Sequence, residues 1–468
     1  MTKLFRDKFA KAILGLLLLA ISGCSAIQTH RNESMDKELV SGNYQAAALM
    51  AEDRIGIKKN ADGTPGPITA DGSNTLNHLD AGASWMLSGD PQRSASHFDA
   101  AEYTLKSVET QNMVASGGKL LGATLISESI KDYVPSPAEA VLINYYKALD
   151  FLQLGDVDNA RVELNRSADR TRRAVERYAS EIEAAQAKAS GASAAQSYSD
   201  PKVKSGVDKN FPEMDQWVPY KDFIVPPASY LQALFLGRSS EIDDRQQAGD
   251  LYTRLMGIVE QNPFVAQDAN EVSHGKICPK NNCKWILVEH GLGPDLQERR
   301  FDLPIFTLNG MVIASIAVPS FHSRTTTDEI PVKILVDHRP ITIPLLGSMD
   351  RVIQVEFKKR FPGVVTRAVV SSAVKAIAQN EVNKQNPLFG LVANVVSMAT
   401  TGADVRSWRG TPGRWSLARF NGGAADSAVT VETPQGPVEV NVPSSGSHLI
   451  YVRAISSNTK PVVQVINL

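Results

Sequence analysis

The sequence predicts an α+β multidomain protein: paired α-helices through the first half, then a β-rich C-terminal half with two inserted helices. Three observations carry this. Residues 36–262 place apolar side chains at helical spacing, interrupted by turns at Gly42, Gly89 and Gly155. From Trp285 onward, short runs alternate apolar and polar residues between Gly, Pro and Asn breaks. The 468 residues also exceed what one hydrophobic core usually serves, so two or three domains are expected.

The first element is a leader. Lys3, Arg6, Lys8 and Lys11 precede an apolar run, Ala12 to Leu19, and small residues precede Cys24. That order describes a secretory signal peptide over residues 1–23. The run is near half the ~20 apolar residues a spanning helix needs. Ile21-Ser22-Gly23-Cys24 resembles a bacterial lipobox, which implies cleavage before Cys24 and lipidation of its thiol. Ser25 follows, where an aspartate retains many such proteins in the inner membrane, so the resemblance implies the periplasmic face of the outer membrane. Residues 24–37 then read as a lipidated tether. Loss of the leader removes four basic and one acidic side chain, taking the formal charge from −1 to −4. So small a charge on a chain of this length argues against a nucleic-acid partner.

Residues 38–263 read as helical hairpins. Gly82 and Trp85 precede the turn Gly89-Asp90-Pro91, and Ser94, Phe98 and Ala101 follow it. A second copy runs through Tyr145-Tyr146-Lys147-Ala148-Leu149-Asp150-Phe151, turns at Gly155-Asp156 and resumes with Ala160 and Leu164. Ala148 and Phe151 stand seven and four residues before their turn glycine, as do Gly82 and Trp85. This spacing resembles the tetratricopeptide (TPR) pattern, in which a small residue lets two helices approach and aromatics fill the space between them. Weaker copies surround Gly42-Asn43-Tyr44 and join Tyr230 to Leu255. Their turns do not recur at a fixed period, so insertions separate the units. Trp85, Phe98, Tyr145 and Tyr146 are the candidates for a partner-binding groove, or else part of the helical core. The charged run Arg166 to Glu183 reads as a solvated helix face with local ion pairs.

Residues 264–360 read as a β-rich domain, with strands at Trp285 to Val288, Met311 to Val318, Val332 to Asp337, Ile341 to Leu345 and Val352 to Phe357. Its Cys278-Pro-Lys-Asn-Asn-Cys283 loop suits a disulfide in an oxidising compartment. His274 and His290 flank it at no zinc spacing, and it is not Cys-x-x-Cys. Residues 361–402 form a helical segment: Val364 to Asn383 is amphipathic, while Leu388 to Thr400 is apolar nearly all round and belongs in a core or against lipid. Residues 403–468 read as an antiparallel sheet or sandwich. At its entrance Asp404, Arg406, Trp408 and Arg409 form either an anion-binding or partner-contact corner, or an ion pair with arginine stacked on tryptophan.

No catalytic signature is present: no HExxH, Gly-x-Ser-x-Gly, P-loop or dinucleotide fingerprint. Ser116 to Lys119 and Ser372 to Lys375 fit Ser-x-x-Lys without its companion elements. No metal, cofactor or nucleotide is expected. The lipobox, the helical pairs, Glu289-His290-Gly291-Leu292-Gly293-Pro294 and Asp404 through Trp415 together resemble an uncharacterised family of Gram-negative outer-membrane lipoproteins. That resemblance implies an architecture but no activity. The expected function is a non-enzymatic protein-binding or scaffold module of the cell envelope. The alternatives are a regulator of peptidoglycan synthesis, or a structural subunit of an envelope or secretion assembly; an envelope hydrolase is the least favoured.

Overall fold

The first described element, α1 over residues 30–40, docks Met35 and Leu39 into the main core. The computed structural model describes residues 30–70, 73–114, 133–190, 201–259, 262–307, 310–324, 331–385 and 403–468. Cys24, its leader and the apolar stretch Leu388 to Thr400 lie outside them. Residues 30–37, expected as part of a free tether, are helical instead, because Met35 and Leu39 lie one turn apart on a face the core can bury.

Helices follow as α2 (Tyr44–Ile55), α3 (Thr75–Ser88), α4 (Pro91–Val114), α5 (Pro137–Gln153), α6 (Val157–Ser190), α7 (Pro201–Lys209), α8 (Pro226–Gly237), α9 (Ile242–Met256) and α10 (Pro263–Ser273). Neighbours pack as hairpins, α3 on α4, α5 on α6 and α8 on α9. Two turns share one chemistry. Gly89 (φ 91°) and Gly155 (φ 73°) take the left-handed conformation that ends a helix. The next amides, of Asp90 and Asp156, close back onto the carbonyls of Trp85 and Phe151 at 2.9 and 2.8 Å. Gly82 sits where a Cβ would come within 2.8 Å of the Phe98 ring, so only glycine permits the α3–α4 approach.

The strands are β1 (Cys283–His290), β2 (Asp295–Thr307), β3 (Gly310–His322), β4 (Lys333–Val336), β5 (Arg339–Ile341), β6 (Leu345–Ser348), β7 (Arg414–Asn421), β8 (Ser427–Thr433), β9 (Gly436–Val442), β10 (His448–Ala454) and β11 (Val462–Asn467). They form a five-stranded sheet β11-β10-β1-β7-β6, a four-stranded sheet β5-β4-β8-β9 and the β2-β3 ribbon. Two expectations change here. Both larger sheets draw strands from 264–360 and from 403–468, so that boundary does not divide the β structure. The five-stranded sheet is also mixed, with β10 running parallel to β1. Strand β1 is buried on both faces, as a central strand of a covered sheet must be. Trp285 and Leu287 face the helices, while Ile286 and Val288 face the four-stranded sheet. The layers are therefore helices, mixed sheet, antiparallel sheet.

Helix α11 (Met349–Gln385) takes in Val352 to Phe357, expected as a strand. Its first turns bury Met349, Val352 and Val355 in the main core. Its later turns bury Phe357, Phe361, Val365 and Val369 against β2, β3 and α7. Serving two cores in succession breaks the single stripe by which a helix is recognised. Among the described residues no helix is long and apolar enough to cross a membrane.

Candidate binding site

Tyr145 and Tyr146 of α5 meet the sheet at a buried carboxylate. Glu289 shares a β1 face with Trp285 and Leu287 and is fully buried. It accepts from the hydroxyls of Tyr145 (3.1 Å), Tyr146 (3.0 Å) and Tyr451 (2.7 Å) and from the Trp415 indole (3.0 Å). Arg453 approaches to 3.6 Å. Burial and then the Glu289 charge push the three phenols well above their usual pKa, so they stay protonated donors. Phe98 packs between Gly82, Tyr146 and Trp408, and the Trp85 indole donates to Glu52 at 2.6 Å. All four side chains expected to line a groove are thus core residues: Phe98, Tyr145 and Tyr146 meet residues of this chain's own later half, and Trp85 is enclosed by α2 and α4.

The corner residues separate into two roles. Arg406 grips Asp404 through Nε and a terminal nitrogen at 2.8 and 2.7 Å and lies over the Tyr133 ring, not over Trp408. Trp408 plugs into the core between Phe98 and Tyr146, and its amide donates to Glu139 at 2.8 Å. Arg409 turns the other way, toward α1. It forms a two-pronged pair with Asp36 and reaches Asp295 at 3.2 Å. Arg324 joins them, donating to Asp36 at 3.1 Å and to the Arg409 carbonyl at 3.0 Å.

Beside this corner lies a cavity of about 180 Å³, lined by Asp404, Arg406, Ser407 and Trp408 together with the start of α5, the β2 entrance and α11. The first turn of α5 is fixed by a capping box. Ser136 accepts the Glu139 amide, and Glu139 accepts the Ser136 amide at 2.8 Å. Glu139 also takes the Tyr133 hydroxyl at 2.5 Å. Glu356 of α11 accepts the Ala138 amide at 3.1 Å and pairs with Arg360. Ile353, Phe357 and Phe361 form the apolar wall. Ser407 Oγ is buried on the lining and has no hydrogen-bond partner among the described residues.

Other polar clusters point to structure. His290 Nε2 lies 3.2 Å from Ser416 Oγ, yet burial and then Arg453 and Arg414 hold the imidazole down to about 4, too acidic for a base at neutral pH. The adjacent Glu289 projects from the opposite strand face and cannot orient that ring. Lys147 is buried between Asp99, Glu102 and Glu163 at 2.7–2.9 Å, tying α4, α5 and α6 together. Cys278 and Cys283 are disulfide-bonded, their Cα atoms 5.9 Å apart. Among the described residues no group of three His, Cys, Asp or Glu could hold a metal ion.

Comparison with family models, curated proteins and solved structures finds no match to this chain. The cavity residues Glu139, Ser407, Glu356, Phe357 and Phe361 were not singled out from sequence. Glu139 had a signal, because Ser136-Pro-Ala-Glu139 is a legible capping box. Glu356 and Phe357 had none while Val352 to Phe357 read as a strand.

Proposed function

We propose that this chain is a lipid-anchored protein of the outer membrane's periplasmic face, acting as a non-enzymatic binding or scaffold module of the cell envelope. The observation that carries the reading is the docking of α1. Asp36 is held by Arg409 and Arg324, and Met35 and Leu39 are buried. Only residues 25–29 intervene between Cys24 and α1. Fully extended, that stretch reaches about 20 Å, so a lipid on Cys24 would hold the body close to the bilayer.

The helical pairs support a TPR-like reading: the α3–α4 and α5–α6 turns share their closing hydrogen bonds, and Gly82 receives Phe98 as that pattern requires. The inner side of the pairs is filled from within, so partner contact belongs to their outer turns. Leu154, Val157 and Ile242 are 43 %, 52 % and 64 % exposed there, and the Arg161–Asp244 pair joins α6 to α9 beside them.

Two measurements test the reading. Metabolic labelling with a palmitate analogue should tag the chain and place it in the outer-membrane fraction, while Cys24→Ala should lose the label and the membrane. Cross-linking followed by purification from detergent should recover an envelope protein, and Val157→Asp with Ile242→Asp should lose it. An unlabelled chain, or a partner set indifferent to the double substitution, overturns the corresponding half of the proposal.

A further inference from the structure

We propose that the cavity beside Asp404 binds a small amphipathic amine, a primary ammonium joined to a compact aryl or alkyl group. The lining of the cavity combines two chemistries. Ile353, Phe357 and Phe361 of α11 supply apolar lining, and Glu139, Glu356 and Asp404 supply carboxylates, Glu356 from the same helix. With Asp295, four carboxylates line the space; Asp295 is paired with Arg409, Glu356 with Arg360 and Asp404 with Arg406, so among the described residues Glu139 supplies the one negative charge that no guanidinium answers.

The hydrogen-bond inventory chooses the sign of the ligand. Helix α5 begins here, and a helix start ordinarily favours anions. In this case its donors are already taken: Pro137 has no N–H, Glu356 accepts the Ala138 amide and Ser136 accepts the Glu139 amide, while Glu139 also takes the Trp408 amide from outside the helix. An incoming anion would meet excess carboxylate and occupied N–H groups. An ammonium brings three donors of its own and finds carboxylate lone pairs together with the unpartnered Ser407 Oγ. Tyr133, on the lining, reports the same field. Burial, then Glu139, Asp404 and Glu356, hold its phenol well above the ordinary value. The size fits as well: a cavity of roughly 150 Å³ accommodates benzene, and this one measures about 180 Å³.

The test uses the full chain extracted in detergent, with benzylamine and hexylamine as probes against benzyl alcohol, benzoate and hexanoate. Calorimetry and thermal shift should show saturable binding of both amines, roughly tenfold tighter than benzyl alcohol, with no binding of the carboxylates. Ser407→Leu, which fills the space, should abolish amine binding without lowering the unliganded melting temperature. If that variant does not fold, Ile353→Trp serves the same purpose, and Asp404→Asn should weaken the amines while sparing benzyl alcohol. Carboxylates binding as well as amines, no saturable binding of either amine at millimolar concentration, or binding unchanged by a cavity-filling variant would each overturn the proposal. The outcome is independent of lipid on Cys24, so it fails or stands apart from the membrane reading.

Discussion

Glu289 satisfies three phenols and an indole from a fully buried position, so the side chain matters more for what it leaves behind than for what it contributes. Glu289→Ala should destabilise by about 3–5 kcal/mol, measured by urea unfolding, because four buried donors would lose their acceptor at once. Asp80 is a different case. Buried in α3 and accepting the Arg409 amide at 3.1 Å, it is pushed up to about 7 by burial. Between about pH 4 and 7 the unfolded chain releases this proton while the folded chain keeps it, so stability falls as pH rises through that window. Asp80→Asn should flatten that fall in melting temperature against pH. Glu52 acts with the opposite sign. Burial alone would raise it, but the hydrogen bonds from His97, Arg93 and Trp85 hold it at about 2. Its contribution is present above about pH 4.5 and is lost as pH falls toward 2.

At the scale of elements, the α3–α4 hairpin depends on a missing side chain. Gly82→Val should cost about 1–3 kcal/mol by thermal unfolding, and Phe98→Leu in the same chain should recover part of it. The Cys278–Cys283 bridge closes so short a loop that Cys278→Ser with Cys283→Ser should cost only about 2 kcal/mol. Both elements were readable from residues alone, because turn glycines, small-residue spacing and a paired cysteine loop are local signals. Helix α11 was not. Val352-Ile353-Gln354-Val355-Glu356-Phe357 mimics strand alternation, since the helix is leaving one core for another within those residues. The groove expectation failed for a related reason: Tyr145 and Tyr146 are covered by Glu289, Trp415 and Tyr451, and nothing near α5 in sequence announces a cover more than 140 residues away. The corner residues Asp404 and Arg406 were legible as a charged turn, but their cavity needed α5, β2 and α11 to close it.

At the scale of the molecule, α1 is joined to the rest by charge as much as by apolar contact. Arg409→Ala removes the two-pronged partner of Asp36 and should make residues 30–40 the first site of limited proteolysis, with the far side of the sheet unchanged in hydrogen exchange. The mixed sheet carries a consequence for how the chain is made. Strand β1 lies between β7 and β10, and Tyr451 reaches Glu289 across 162 residues of sequence. Synthesis delivers the helices and β1 long before these partners. Until β10 arrives, β1 holds an open parallel edge and α5 an uncovered row of aromatics, which is aggregation-prone surface. Folding is therefore a late event, completed by the last strands rather than accumulated from the first helices, and slowed by the long loops those strands must close. A chain stopped before residue 448 should aggregate rather than fold in part.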